Sequence, residues 1–344
     1  MIPPFLLGRL PEPPTSAEVA RHIPPVAPVP EGTPRPFWSV MVPAYNCDDY
    51  LRRTLASVLE QDPGPDDMQI EVIDDCSTQG NPAAVAREVG RGRVDFHRNP
   101  RNLGATDTFN VCLQRSRGRW VHILHGDDAV LPGFYAAYSR LIQGQPSVAM
   151  VIGQSIVIDE HDHWTSLIGP DVPADSPVLR DFCCEQAVGH LGQFASWVIR
   201  REMLEQVGGF CTLFGHCADF ELAFRIGQAG PVGCLPRAYA LYRVHSASDT
   251  RRLMVSGHNI YERVLVTRLN LSRLPPDACQ EKRRVWRRHL ANTAHGAAWT
   301  LGVGGSTEGR LNQARWAYLL DPRPFRALFL AKSWVKHRLA RARR

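Results

Sequence analysis

From Trp38 onward, short apolar runs alternate with stretches of helical periodicity, and each run ends abruptly in polar residues. Few architectures accept that pattern. The runs at residues 38–42, 70–73, 94–97 and 121–124 have strand length. Between the first two, Leu51, Leu55, Val58 and Leu59 repeat at the i, i+4, i+7, i+8 spacing of a helix that buries one face. Strand, helix, strand, helix at this spacing implies βαβ units and a parallel sheet of the α/β class. Ligands of such sheets bind beyond the carboxyl ends of the strands. Those positions are unusually polar here: Pro43-Ala44-Tyr45-Asn46 after the first strand, Asp74-Asp75-Cys76-Ser77 after the second, His125-Gly126-Asp127-Asp128 after the fourth.

With 344 residues, 44% of them hydrophobic and 22% charged, the chain has room for a buried core and about two domains. No stretch reaches the ~18 uncharged apolar residues of a membrane span. The start lacks a basic region ahead of its short apolar run, so no signal peptide is expected. Nine cysteines without a C-x-x-C pair suggest neither a disulfide framework nor a zinc site, and a cytoplasmic protein is expected. Residues 1–36 are proline-rich and read as an extended arm. Residues 37–250 carry the α/β pattern, and 251–344 read as helical throughout. The net charge of +6 hides an asymmetry: the last 94 residues hold 20 basic and 5 acidic side chains. Such a block implies a polyanionic neighbour. Its basic residues, interleaved with Trp334, Val335 and Leu339, could lie on an anionic membrane as an amphipathic end, or form a solvated helical end. Nucleic acid is not expected, because no recognition fold accompanies the charge.

Each polar cluster has an ordinary reading beside a chemical one. Asp127 and Asp128 can hold Mg²⁺ or Mn²⁺ with positions left open for a diphosphate, or form a solvated turn that caps a helix. Asp74 or Asp75 can accept from a base or ribose, or close an Asx-turn with Ser77. Asp219 and Glu221 suit the first turn of a helix on dipole grounds alone, and a carboxylate held there could also act as a general base. Arg243 and His245 alternate on an expected strand at 242–246 and so share a face suited to phosphate or metal, or are a surface pair. His161-Asp162-His163 reads as a hairpin turn. Neither G-x-G-x-x-G nor G-K-[ST] follows a strand, which removes the main support for dinucleotide and P-loop enzymes.

In this order, Val42-Pro43-Ala44-Tyr45-Asn46, Val72 to Ser77, Asn102-Leu103-Gly104, Gly126-Asp127-Asp128 with Pro132-Gly133, Val207 to Phe210, Asp219 to Leu222 and Tyr242 to His245 resemble the family 2 glycosyltransferases. The resemblance implies a GT-A fold, a Rossmann-like mixed sheet flanked by helices, here with a C-terminal helical extension. It implies an inverting transferase that moves a sugar from a nucleotide donor, a UDP-sugar foremost, to a glycan, lipid-linked or protein acceptor with help from Mn²⁺ or Mg²⁺. Pro43, Ala44, Tyr45, Asn46, Asp74, Asp75, Asn102, Gly104, Asp127 and Arg243 would then bind the donor. Asp127, Asp128 and His245 would hold the metal, and Asp219 would be the base. Glu221, Trp197 and His190 are placed on the acceptor side. Two positions depart from the family pattern: His125 replaces the first acid of D-x-D, and Ala218 the first acid of E-D. A sugar nucleotidyltransferase and a non-catalytic nucleotide- or sugar-binding module are the alternatives.

Overall fold

The computed structural model describes residues 9–171, 177–189, 191–246 and 248–342. They form two compact units: Ala20–Val244, and His245–Arg344 together with the chain before Ala20. The elements up to the end of the first unit are α1 (Ser16–Arg21), β1 (Trp38–Ala44), α2 (Asp48–Leu59), β2 (Met68–Asp74), α3 (Pro82–Gly90), β3 (Asp95–Arg98), α4 (Ala105–Arg115), β4 (Trp120–Ile123), β5 (Ala129–Val130), α5 (Phe134–Gly144), β6 (Met150–Ile158), β7 (Trp164–Ile168), α6 (Phe182–Gln186), β8 (Val198–Arg200), α7 (Arg201–Val207), α8 (Ala218–Ala229) and β9 (Val232–Arg243).

Among the described residues nine strands make one mixed sheet in the order β3-β2-β1-β4-β8-β6-β9-β5, with β7 beside β6. β3, β2, β1 and β4 are parallel. β8 runs antiparallel to both β4 and β6, so the sheet reverses there. In the parallel half Ala44 lies opposite Asp74 and Met41 opposite Ile123. This register gathers the polar ends of β1, β2 and β4 at one edge. β1 and β2 are buried along their whole length, and Val40, Val42, Ile70 and Val72 pack with Leu51 and Leu55 of α2 and Phe134 and Tyr138 of α5. Burial on both faces is why their sequences read as continuous apolar runs rather than alternating ones.

β9 departs from expectation. It runs through Pro236, and its register with β6 jumps from Leu235 to Ala238, so the proline sits in an irregularity where no ladder hydrogen bond is needed. The strand ends at Arg243. The alternation that placed Arg243 and His245 on one strand face therefore does not apply.

Residues 22–27 run along the α/β unit. The carbonyls of His22, Pro24 and Ala27 accept from Thr212 N (2.9 Å), Gly209 N (2.8 Å) and Arg201 Nη2 (2.9 Å). Gly208 makes the close approach feasible: its φ is 81°, and a Cβ would stand 2.5 Å from Ile23 Cγ2.

The second unit carries α9 (Asp249–Ser256), α10 (His258–Ser272), α11 (Gln280–Val303), α12 (Thr307–Leu320) and α13 (Pro324–Ala342). α11 and α12 pack as a hairpin, with Leu290, Ala294, Ala298 and Leu301 of the first and Leu311, Ala314, Trp316 and Ala317 of the second all buried. Arg326 fastens α13. It is 2% exposed, donates to the Ala291 carbonyl and to Asn292 Oδ1 (both 2.6 Å), and pairs with Asp321. No helix among the described residues is long and apolar enough to cross a membrane. Cys47, Cys76, Cys112, Cys183, Cys211, Cys217 and Cys234 are free thiols.

Candidate active site

The end of β1 turns sharply. Asn46 takes a left-handed φ of 50°, and Cys76 after β2 one of 60°. Both conformations cost energy unless the surroundings fix them. Asn46 is fixed by its own hydrogen bonds: its N donates to Ser77 Oγ (3.0 Å), and its Oδ1 accepts from Thr78 N (2.9 Å) and Gln79 N (3.0 Å). Two strand ends are thereby joined. Asp74 is wholly buried; Oδ1 accepts from Ser77 N and Oγ, and Oδ2 pairs with Arg98. This is the Asx-turn of the ordinary reading, reinforced by an arginine. Asp75 holds the next loop, accepting from Asn99 Nδ2 and Leu103 N on Oδ1 and from Gly104 N on Oδ2, while Asn102 Nδ2 donates to its carbonyl. Pro43 and Ala44 are buried at this edge, and Tyr45 is 46% exposed.

The loop after β4 is built against β1 and α2. Gly126 N donates to the Pro43 carbonyl (2.9 Å), and a Cβ at Gly126 would lie 2.8 Å from Cys47 Sγ. Thr54 Oγ1 donates to the carbonyls of Asp128 (2.6 Å) and Gly126 (3.1 Å). His125 stacks on Phe109, with ring centroids 5.1 Å apart, and its Nδ1 lies 3.5 Å from Asp128 Oδ2. Burial lowers the His125 pKa, opposed by the charges of Asp127 and Asp219. A lowered value favours the neutral ring that a metal requires. Burial, and next the charge of Asp127, push the Asp128 carboxyl well above the usual range.

Two buried atoms here have no hydrogen-bond partner, His125 Nε2 and Asp128 Oδ2. Ligand atoms of His125, Asp127 and Asp128 all lie within 4.8 Å of one another. Buried polar atoms left without hydrogen-bond partners call for an explanation, and a bound ion is one. One nitrogen and two carboxylates fit a divalent cation such as Mn²⁺.

Arg243 braces this loop. Its N donates to Asp128 Oδ1 and its Nε to the Asp127 carbonyl; Nη1 donates to the Asp159 carbonyl (all 2.9 Å), and Nη2 pairs with Asp162 at 2.6 Å. Its guanidinium lies 4.5 Å over the Tyr50 ring. Asp162 sits in the turn joining β6 and β7, so the His161-Asp162-His163 stretch is a hairpin turn as expected. His245 belongs to the second unit.

Asp219 stands in the first turn of α8, partly exposed, with Oδ1 accepting from Phe220 N at 2.7 Å. Its charge is felt at His125. Glu221 is placed differently: it is fully buried and takes two bonds from Arg225 Nε, at 2.8 and 3.0 Å. Arg225 also donates to the carbonyls of Val207 (2.6 Å) and Gly209 (2.7 Å). Trp197 is 1% exposed and packs edge-on against Phe194 in the core. Neither Glu221 nor Trp197 offers a surface to an acceptor in this structure. His190 lies outside the described residues. Arg225→Ala should destabilise the protein by about 3–5 kcal/mol, because it breaks a buried ion pair with Glu221 and removes the bonds to the Val207 and Gly209 carbonyls; the loss would be read from urea unfolding.

Sequence reading missed Thr54, Arg225, Arg98 and Phe109. Thr54 had a signal: it falls on the buried face of α2 with Leu51, Leu55 and Val58, where a hydroxyl needs a partner.

Three parallel strands ending together, an acidic loop after the fourth strand and a carboxylate opening a late helix define a glycosyltransferase of the GT-A fold. Residues 39–208 match the model of glycosyl transferase family 2, and the chain belongs to that family. It is 29% identical over 264 residues to the uncharacterized protein MT1568 of Mycobacterium tuberculosis, covering 73% of this chain and 81% of that one. A shorter likeness, 37% over 95 residues, links it to the putative teichuronic acid biosynthesis glycosyltransferase TuaG of Bacillus subtilis, covering 27% of this chain and 37% of TuaG. Among solved structures it resembles S. aureus TarS 1–349 in complex with UDP-GlcNAc, with a TM-score of 0.51 at 15% identity over 88% of this chain and 92% of that one. That last likeness is one of fold.

Proposed function

We propose that the chain transfers a sugar from a nucleoside diphosphate donor, a UDP-sugar, to a hydroxyl of a surface glycan, with inversion at the anomeric carbon and a divalent cation held by His125, Asp127 and Asp128. The observation that carries this reading is the pair of buried atoms without a hydrogen-bond partner, His125 Nε2 and Asp128 Oδ2, in a loop whose histidine feels the charge of Asp219. The polysaccharide role is supported by the likeness to TuaG, and the UDP-sugar by the ligand of the TarS complex.

In this reading Pro43, Ala44, Tyr45 and Asn46 with the 74–77 turn form the nucleoside side, and Asn102 and Gly104 border it. Asp74 and Asp75 act mainly by shaping that edge, since their carboxylate oxygens bind their own loops. His125, Asp127 and Asp128 would hold the divalent cation, which would supply neutralisation of charge on the leaving diphosphate. Arg243 holds Asp127 and Asp128 in place. Asp219 removes the proton of the acceptor hydroxyl as that oxygen attacks. Holding donor and acceptor in line supplies a further large part of the rate.

A panel of UDP, GDP, dTDP and CDP, each with and without Mn²⁺, tests the reading by thermal shift. UDP with Mn²⁺ at about 100 Kd should stabilise by about 2.7 kcal/mol, visible as a clear rise in Tm. Absence of any shift with every nucleotide and metal would remove the donor site.

A further inference from the structure

α13 carries two stripes. Arg326, Phe329, Leu330 and Ser333 form the one that packs inward: Arg326 and Ser333 are buried, Ser333 accepts from Arg310 Nε (3.0 Å), and Phe329 lies beneath the Arg310 guanidinium. A second apolar stripe runs along the opposite side. Leu328, Ala331, Val335, Leu339 and Ala342 recur at i, i+3, i+7, i+11 and i+14, the repeat of one helical face. All five are exposed, Leu328 by 58%, Val335 by 47% and Leu339 by 56%. Phe325 and Trp334, 52% and 48% exposed, stand to either side. An amphipathic helix packed in a soluble unit has no need of this second face.

The charges on the helix narrow what covers it. α13 contains no acidic residue, and Lys332, Lys336, Arg338 and Arg341 are all exposed around the outer stripe. A second copy of the same face would bring like charges together. An anionic bilayer offers hydrocarbon to the leucines and phosphate to the cations. We infer that the outer face of α13 is an interfacial membrane-binding surface selective for anionic lipid, lying in the headgroup plane rather than crossing it. Its tryptophan and long basic side chains suit that depth, with an apolar body inside and a polar end in the headgroups.

The inference is independent of the transferase reading and is tested without activity. The full chain is mixed with vesicles of phosphatidylcholine alone or with 30% phosphatidylglycerol, and the bound fraction is measured by flotation. Binding to the anionic vesicles should exceed binding to the neutral ones by at least tenfold and fall on raising salt from 0.1 to 0.5 M. Each basic residue near the surface contributes about fivefold, so Lys332→Gln with Lys336→Gln should weaken binding roughly 25-fold. Leu328→Glu with Leu339→Glu should abolish it while Tm stays within about 2 °C of the parent, since neither side chain is in the packed face. Equal binding to both vesicle types, retention by the glutamate variant, or a lipid-free dimer that the glutamates dissociate without any vesicle binding would overturn the proposal.

Discussion

Asp219→Asn is expected to lower kcat by about 10²–10⁴-fold while leaving the UDP and Mn²⁺ thermal shift close to that of the parent. The substitution is nearly isosteric. Asparagine keeps an oxygen where Oδ1 now accepts from Phe220 N at 2.7 Å, so the first turn of α8 should hold its shape. What is lost is the negative charge and with it the capacity to take a proton. Position favours this residue over its neighbour. Glu221 lies in the same first turn, but α8 turns it inward onto Arg225, where it cannot reach a hydroxyl. Asp219 is left partly exposed, and its charge acts on His125. Full activity in the variant would remove the base assignment. A lost nucleotide shift would instead assign Asp219 to donor binding.

The parallel half of the sheet was legible because its strands are buried on both faces and α2 is buried on one, which are the two patterns a sequence displays openly. β3 was legible only approximately. It is a four-residue edge strand with exposed ends, and little burial marks where it begins. β5 has two residues, exists by pairing with β9 more than 100 positions later, and carries no local signal at all. β9 hid behind Pro236, which argues against a strand unless an irregularity absorbs it. The site shows the same division. Residue types at the strand ends could be read; the partners that constrain them could not. Asp74 and Arg243 look in sequence like ligand-binding side chains, yet Arg98 and Ser77 hold the first, and Asp127, Asp159 and Asp162 hold the second. Arg243 and Asp128 are 115 positions apart, a separation over which periodicity says nothing.

Asp128→Asn should separate stability from function in opposite directions. In the parent, burial and the neighbouring charge of Asp127 raise the Asp128 carboxyl well above its usual value. A carboxyl whose pKa is raised on folding binds more protons in the folded than in the unfolded state. Its stabilising contribution is therefore complete below the unfolded value and is lost progressively as pH rises toward the folded one. Metal-free parent protein should accordingly be penalised near neutral pH, and the variant should escape that penalty. Asparagine retains an oxygen for the Arg243 N–H that now bonds Oδ1 at 2.9 Å, so the brace survives. Metal-free Asp128→Asn should be as stable as the parent at pH 4 and more stable at pH 7.5, as read from urea unfolding in chelator. Its Mn²⁺ affinity should fall by more than about 100-fold, beyond the 10–100-fold typical of losing a group that only supports a ligand. Sugar transfer should fall with it. Undiminished Mn²⁺-dependent stabilisation in the variant would remove Asp128 from the metal site and leave His125 and Asp127 as its protein ligands.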